Sequence, residues 1–129
     1  MNSRYKIALS MLVSAALGAA AVQGLHAQAK PKAYLITESQ VLDREALATY
    51  FPKIVEAAKR QGGRVAYIGP SEKTVPVVGE APKRIGVSEW ESVEKAQAWL
   101  VSAERNALIP ERDKAQKITR QFIVEGVGN

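Results

Sequence analysis

Glu38, Arg64, Glu89 and Trp90 are the side chains of this sequence whose types suit joint work on a small molecule: two carboxylates, a guanidinium and an indole. Crowded carboxylates raise one another's proton affinity and a neighbouring guanidinium lowers it, so such a group would bind a ligand or hold a proton. The same residues equally suit a partly exposed ion-pair network at a sheet end, which carries little energy. Other chemistries are excluded by what is missing. The chain has no cysteine and one histidine, His26, which lies in a segment we expect to be removed. Without imidazole or thiol, the usual general bases near neutral pH, thiol nucleophiles, zinc sites and histidine- or cysteine-ligated haem all fall away. Ser71 and Ser88 have no histidine to activate them, Gly62-Gly63 is too short to cradle a phosphate, and no calcium-loop spacing of acidic residues occurs. We expect no metal and no cofactor.

The expected removal follows from the first 29 residues. A charged start at Arg4 and Lys6, an apolar run from Ile7 to Val22 and the closing Ala27-Gln28-Ala29 form a secretory signal with an A-x-A cleavage site. The apolar run is shorter than the ~20 residues needed to span a bilayer, and it is rich in alanine. The expected product, residues 30–129, is one exported, periplasmic domain with no membrane segment after cleavage. Its charge falls from the precursor's +5 as Arg4 and Lys6 leave, and its remaining charges alternate in sign as on a solvated surface. Nucleic acid is not an expected partner.

Along this domain, Ala33 to Thr37 reads as a first strand. Asp43 caps a helix whose apolar residues Leu47, Tyr50, Phe51, Ile54, Val55 and Ala58 recur with helical period, with a kink expected at Pro52. Gly62-Gly63 ends that helix, Arg64 to Ile68 is a strand, and Thr74 to Val78 a short extra edge strand. Arg84 to Trp90 is the next strand. Ser92 caps a helix through Val93, Ala96, Trp99 and Leu100, a further helical piece interrupted at Pro110 leads towards Lys117, and Ile118 to Val127 is the last strand. The order β-α-β-β-α-β specifies an α+β, ferredoxin-like protomer: an antiparallel sheet with both helices on one face. The second face still carries apolar side chains, and a second copy of the sheet is its simplest cover, so we expect a homodimer.

Several segments, in order, carry a family likeness: Asp43-Arg44-Glu45-Ala46 with Tyr50, Gly62-Gly63-Arg64, Pro82-Lys83-Arg84 leading to Glu89-Trp90, Ser92 to Trp99, and Phe122-Ile123-Val124-Glu125-Gly126. Together they resemble DUF 1330, a domain of unknown function of dimeric α/β-barrel type. The resemblance implies a ferredoxin-like protomer and two sheets packed face to face, and it implies no reaction. The chain departs from the pattern at Arg105, where the family often has an aromatic residue, and at Ile68-Gly69-Pro70, where it often has Arg-Gly-Gly.

With the first strand taken as parallel to the Glu89 strand, Glu38, Arg64, Glu89 and Trp90 gather at one end of the sheet as a polar mouth. Glu125 then belongs at the far end as a structural contact with Arg112 or Arg120. Tyr34, Tyr67 and Trp99 are expected to pack. The leading functional reading is an exported dimer that binds a small molecule, an anion among the candidates, or serves a structural role. The competing reading is a cofactor-free oxygenase or isomerase working from the mouth.

Overall fold

The computed structural model describes residues 30–70 and 73–128; the segment read as a signal, 1–29, lies outside them. The expected local signals produce the elements. Strand β1 (Ala33–Val41) leads to helix α1 (Arg44–Arg60), where the Asp43 side chain accepts from the Ala46 N–H at 3.0 Å. The helix continues through Pro52 without interruption, and the carbonyl that loses its donor belongs to Ala48, an exposed residue. Beyond it Gly62 takes φ +95°, the left-handed conformation that closes a helix, and the Gly63 N–H returns to the Ala58 carbonyl at 2.8 Å. Strands β2 (Arg64–Pro70) and β3 (Arg84–Trp90) follow. Ser92 caps α2 (Val93–Leu100), Ser102 caps α3 (Ala103–Asn106), and α4 (Ile109–Ala115) leads to β4 (Gln116–Glu125). Pro110 starts α4 instead of interrupting a helix, because its missing N–H would have no partner in the first turn.

The edge strand expected at Thr74 to Val78 does not form. Pro76 removes a donor there, and Val75, Val77 and Val78 stand 82%, 91% and 94% exposed in the loop between β2 and β3. Among the described residues no helix is long and apolar enough to cross a membrane.

The sheet order is β2-β3-β1-β4 with every neighbouring pair antiparallel. This corrects the expected parallel pairing of β1 with β3. A helical crossover sets β2 parallel to β1, and the return into β3 then makes β3 oppose both. Ala33 lies opposite Trp90 on one side and Glu125 on the other, while Glu38 lies opposite Ile85 and Arg120.

Alternation divides the strands between two faces. Ala33, Leu35, Thr37, Arg84, Gly86, Ser88, Trp90 and Ile123 face the helices; Tyr34, Ile36, Glu38, Ile85, Val87, Glu89, Arg120, Phe122 and Val124 face away. The core lies under the helices, where Trp90, 1% exposed, stacks on Trp99 with ring centroids 5.5 Å apart, beside Leu35, Ala57, Ala58 and Ala96. Gly63 has to be glycine for this packing, since a Cβ there would lie 2.5 Å from the Trp90 ring. The structure is thus an α+β, ferredoxin-like fold.

Candidate functional site

On the face turned away from the helices, charges occur in satisfied groups. Glu89, 8% exposed, receives Lys32 Nζ at 2.7 Å and a close contact from Arg64 Nη2. The hydrogen bond from Lys32, then that from Arg64, holds its carboxyl below the usual glutamate range. At the opposite end Glu38 takes a forked bond from Arg120, whose Nη2 lies 3.1 Å from Oε1 and whose Nε contacts Oε2, and its pKa is lowered by that pairing. Between these clusters run Val87, Ile36 and Phe122 in one cross-strand row.

The expected mouth is therefore divided. Arg64 and Glu89 meet as expected, with Lys32 as an addition. Glu38 is at the other end of the sheet because β1 and β3 are antiparallel. Trp90, one residue from Glu89, points to the opposite face and is buried in the core, its indole N–H donating to Ser88 Oγ at 2.9 Å. Glu125 lies opposite Ala33, at the Glu89 end and not the far one. Arg112 pairs with Asp113, and Arg120 with Glu38. Trp99 packs in the core as expected. Ser92-Val93-Glu94-Lys95 has Ser-x-x-Lys spacing, but the Ser92 hydroxyl accepts from the Lys95 backbone N–H at 3.2 Å as a helix cap.

A second arrangement occupies the helix side. Between α1 and the sheet lies a cavity of about 120 Å³, lined by Leu35, Ile54, Ile68 and Trp99 together with Tyr50, Arg84 and Arg105. Tyr50 reaches it from the apolar stripe of α1 and is 4% exposed. Arg84, first residue of β3, lies with its guanidinium 5.4 Å from the Phe51 ring centre, and Nη1 donates to Gln116 Oε1 at 3.2 Å. Arg105, held in the one-turn helix α3, donates from Nη1 to the Leu100 carbonyl at 3.0 Å. Nearby, Gln121 Nε2 donates to Thr37 Oγ1 at 2.9 Å.

Among the described residues no carboxylate pairs with Arg84 or Arg105. Burial pushes both guanidinia below their ordinary value, Arg105 further through the neighbouring charge of Arg112. Burial raises the Tyr50 phenol while Arg112, Arg105 and Arg84 pull it the other way. An arginine keeps its charge in a protein, so the cavity holds two partly buried cations with several N–H donors each. Taking a charge from water without a counter-charge is costly, and an anion entering here would remove that cost. Among the described residues no three His, Cys, Asp or Glu side chains gather to hold a metal ion.

Sequence reasoning named Arg105 only as a family departure, and Arg84 only as the start of a strand and part of a family segment. The available signal was parity: Arg84 shares the inward face of β3 with Gly86, Ser88 and Trp90, beneath the stripe that carries Tyr50.

Residues 32–127 match the family model described as Domain of unknown function (DUF1330). The chain belongs to this family. No curated protein matches. Among solved structures, the fold is similar to the RPA0582 protein of unknown function from Rhodopseudomonas palustris, with TM-score 0.59 and 16% identity over 76% of this chain and 84% of that one. It is also similar to SnoaB, a cofactor-independent oxygenase from Streptomyces nogalater, with TM-score 0.56 and 7% identity over 77% and 96% of the two chains. At these identities the likeness concerns the fold alone.

Proposed function

We propose that this DUF1330 domain is an exported, periplasmic homodimer that binds a small organic anion in the cavity between α1 and the sheet. The observation that carries the ligand class is the pair Arg84 and Arg105, partly buried against apolar walls with no described carboxylate to neutralise them. Arginine is suited to the task, since its planar fork matches a carboxylate with two parallel hydrogen bonds. Tyr50 adds a phenolic hydroxyl that stays protonated at neutral pH and so is able to donate.

Dimerisation is supported by the outer face. Ile36, Val87 and Phe122, with Val124 and Ile85, leave an apolar stripe that none of the described helices covers, and Phe122 and Val124 are 38% and 42% exposed. A second copy brings an equal stripe with charged clusters at its ends. The oxygenase or isomerase reading required Glu38 beside Glu89, and the antiparallel register separates them, so it is not adopted.

Trp99 lines the cavity, which makes tryptophan fluorescence a direct reporter. Propionate is expected to change the fluorescence saturably, propionamide to leave it unchanged, and Arg84→Met to abolish the response. No response to propionate or to any other small carboxylate would remove the binding reading. The mass of the exported protein checks the address: cleavage after Ala29 is expected, and retention of residues 1–29 would contradict it.

A further inference from the structure

Resting on that anion-binding reading, we infer that the ligand is a short dicarboxylate, one carboxylate on Arg84 and the other on Arg105, with the Tyr50 hydroxyl between them. The charge balance requires two negative charges. Of the arginines around Tyr50, Arg112 is already paired, its Nη2 lying 3.0 Å from Asp113 Oδ1, which leaves Arg84 and Arg105. These two belong to different walls. Arg84 rises from the sheet and is fixed by Phe51 and Gln116; Arg105 comes from the helix layer and is fixed by the Leu100 carbonyl. Both act electrostatically on Tyr50, lowering its pKa against the effect of burial.

A single carboxylate forked onto one guanidinium would leave the second cation buried and unneutralised. One compact dianion, such as phosphate, would likewise concentrate its charge at one wall. Two carboxylates joined by a short hydrocarbon place a charge at each, and the connecting methylenes meet Leu35, Ile54 and Trp99. The volume sets the length. About 120 Å³ is somewhat less than the ~150 Å³ of a cavity that accepts benzene, which suits a chain of roughly two to four carbons.

The test is calorimetric titration of the mature protein with malonate, succinate, propionate and inorganic phosphate at matched ionic strength. At least one dicarboxylate is expected to bind tenfold or more tightly than propionate and phosphate. In Arg84→Met and in Arg105→Met that advantage is expected to vanish, with neither malonate nor succinate binding more tightly than propionate binds the unmodified protein. Binding of propionate equal to that of both malonate and succinate by the unmodified protein would overturn the dicarboxylate assignment and leave the monoanion reading standing. Phosphate ahead of both dicarboxylates would overturn it as well, and binding of none of the four would remove both readings together. The comparison of probes on the unmodified protein decides the matter even if a variant fails to fold.

Discussion

The two faces of the sheet use charge in opposite ways. On the outer face Glu89 lies between Lys32 and Arg64, and Glu38 is clasped by Arg120; every partner there is already present in the chain. On the inner face Arg84 and Arg105 sit beside aromatic and aliphatic groups, with Gln116 and a backbone carbonyl as their described partners. A charge paired within the chain sets strand register and edge solubility. A partly buried charge left unneutralised is a cost to the fold, which the proposed ligand would offset. Richness in ionisable groups thus marks the face whose charges are paired within the chain, and the missing counter-charge marks the face to which the proposal assigns the ligand.

The largest effect that separates the faces concerns two adjacent residues. Trp90→Ala empties the centre of the core and is expected to cost about 3–5 kcal/mol in urea-induced unfolding, whereas Glu89→Ala, one position away on the other face, should lose far less. Comparable losses would mean that the outer cluster, too, holds the fold together. Next comes assembly. Phe122→Asp places a charge in the uncovered stripe and is expected to convert the proposed dimer to a folded monomer in light scattering, with secondary structure intact. A dimer of unchanged mass would move the interface elsewhere.

A smaller effect is expected with pH. Glu89 and Glu38 have folded-state pKa values below their ordinary 4.5, so each binds protons more weakly folded than unfolded. The stability they contribute is therefore complete above about pH 4.5 and is lost as pH falls through the lower folded values. Arg84, Arg105 and Tyr50 do not titrate in that range, which leaves the acid limb to carboxylates. Melting temperature against pH should show a shallower acid decline in Glu89→Gln than in the unmodified protein. An identical decline would detach Glu89 from acid stability.

What was legible in the sequence follows the same division. Features set by short stretches of chain came through: the caps at Asp43 and Ser92, the Gly62-Gly63 helix end, the limits of β3, the inward Trp99. The error over β1 and β3 came from not following direction through the crossover, and that one reversal misplaced both Glu38 and Glu125. Pairing Trp90 with Glu89 ignored alternation along a strand. Arg105 is different in kind: its burial depends on how α3 folds back after Leu100 against α1, which no local pattern encodes, so on paper it is indistinguishable from the solvated arginines.

The central claim, that the inner arginines are unneutralised because a ligand neutralises them, is tested most directly by thermal unfolding of the unmodified protein and Arg84→Met, each without ligand and with saturating succinate. Arg84→Met should melt at or above the unmodified protein when ligand-free, since a costly buried charge is gone, and should lose the stabilisation that succinate gives the unmodified protein. A variant that melts lower without ligand and keeps the full succinate shift would contradict the account.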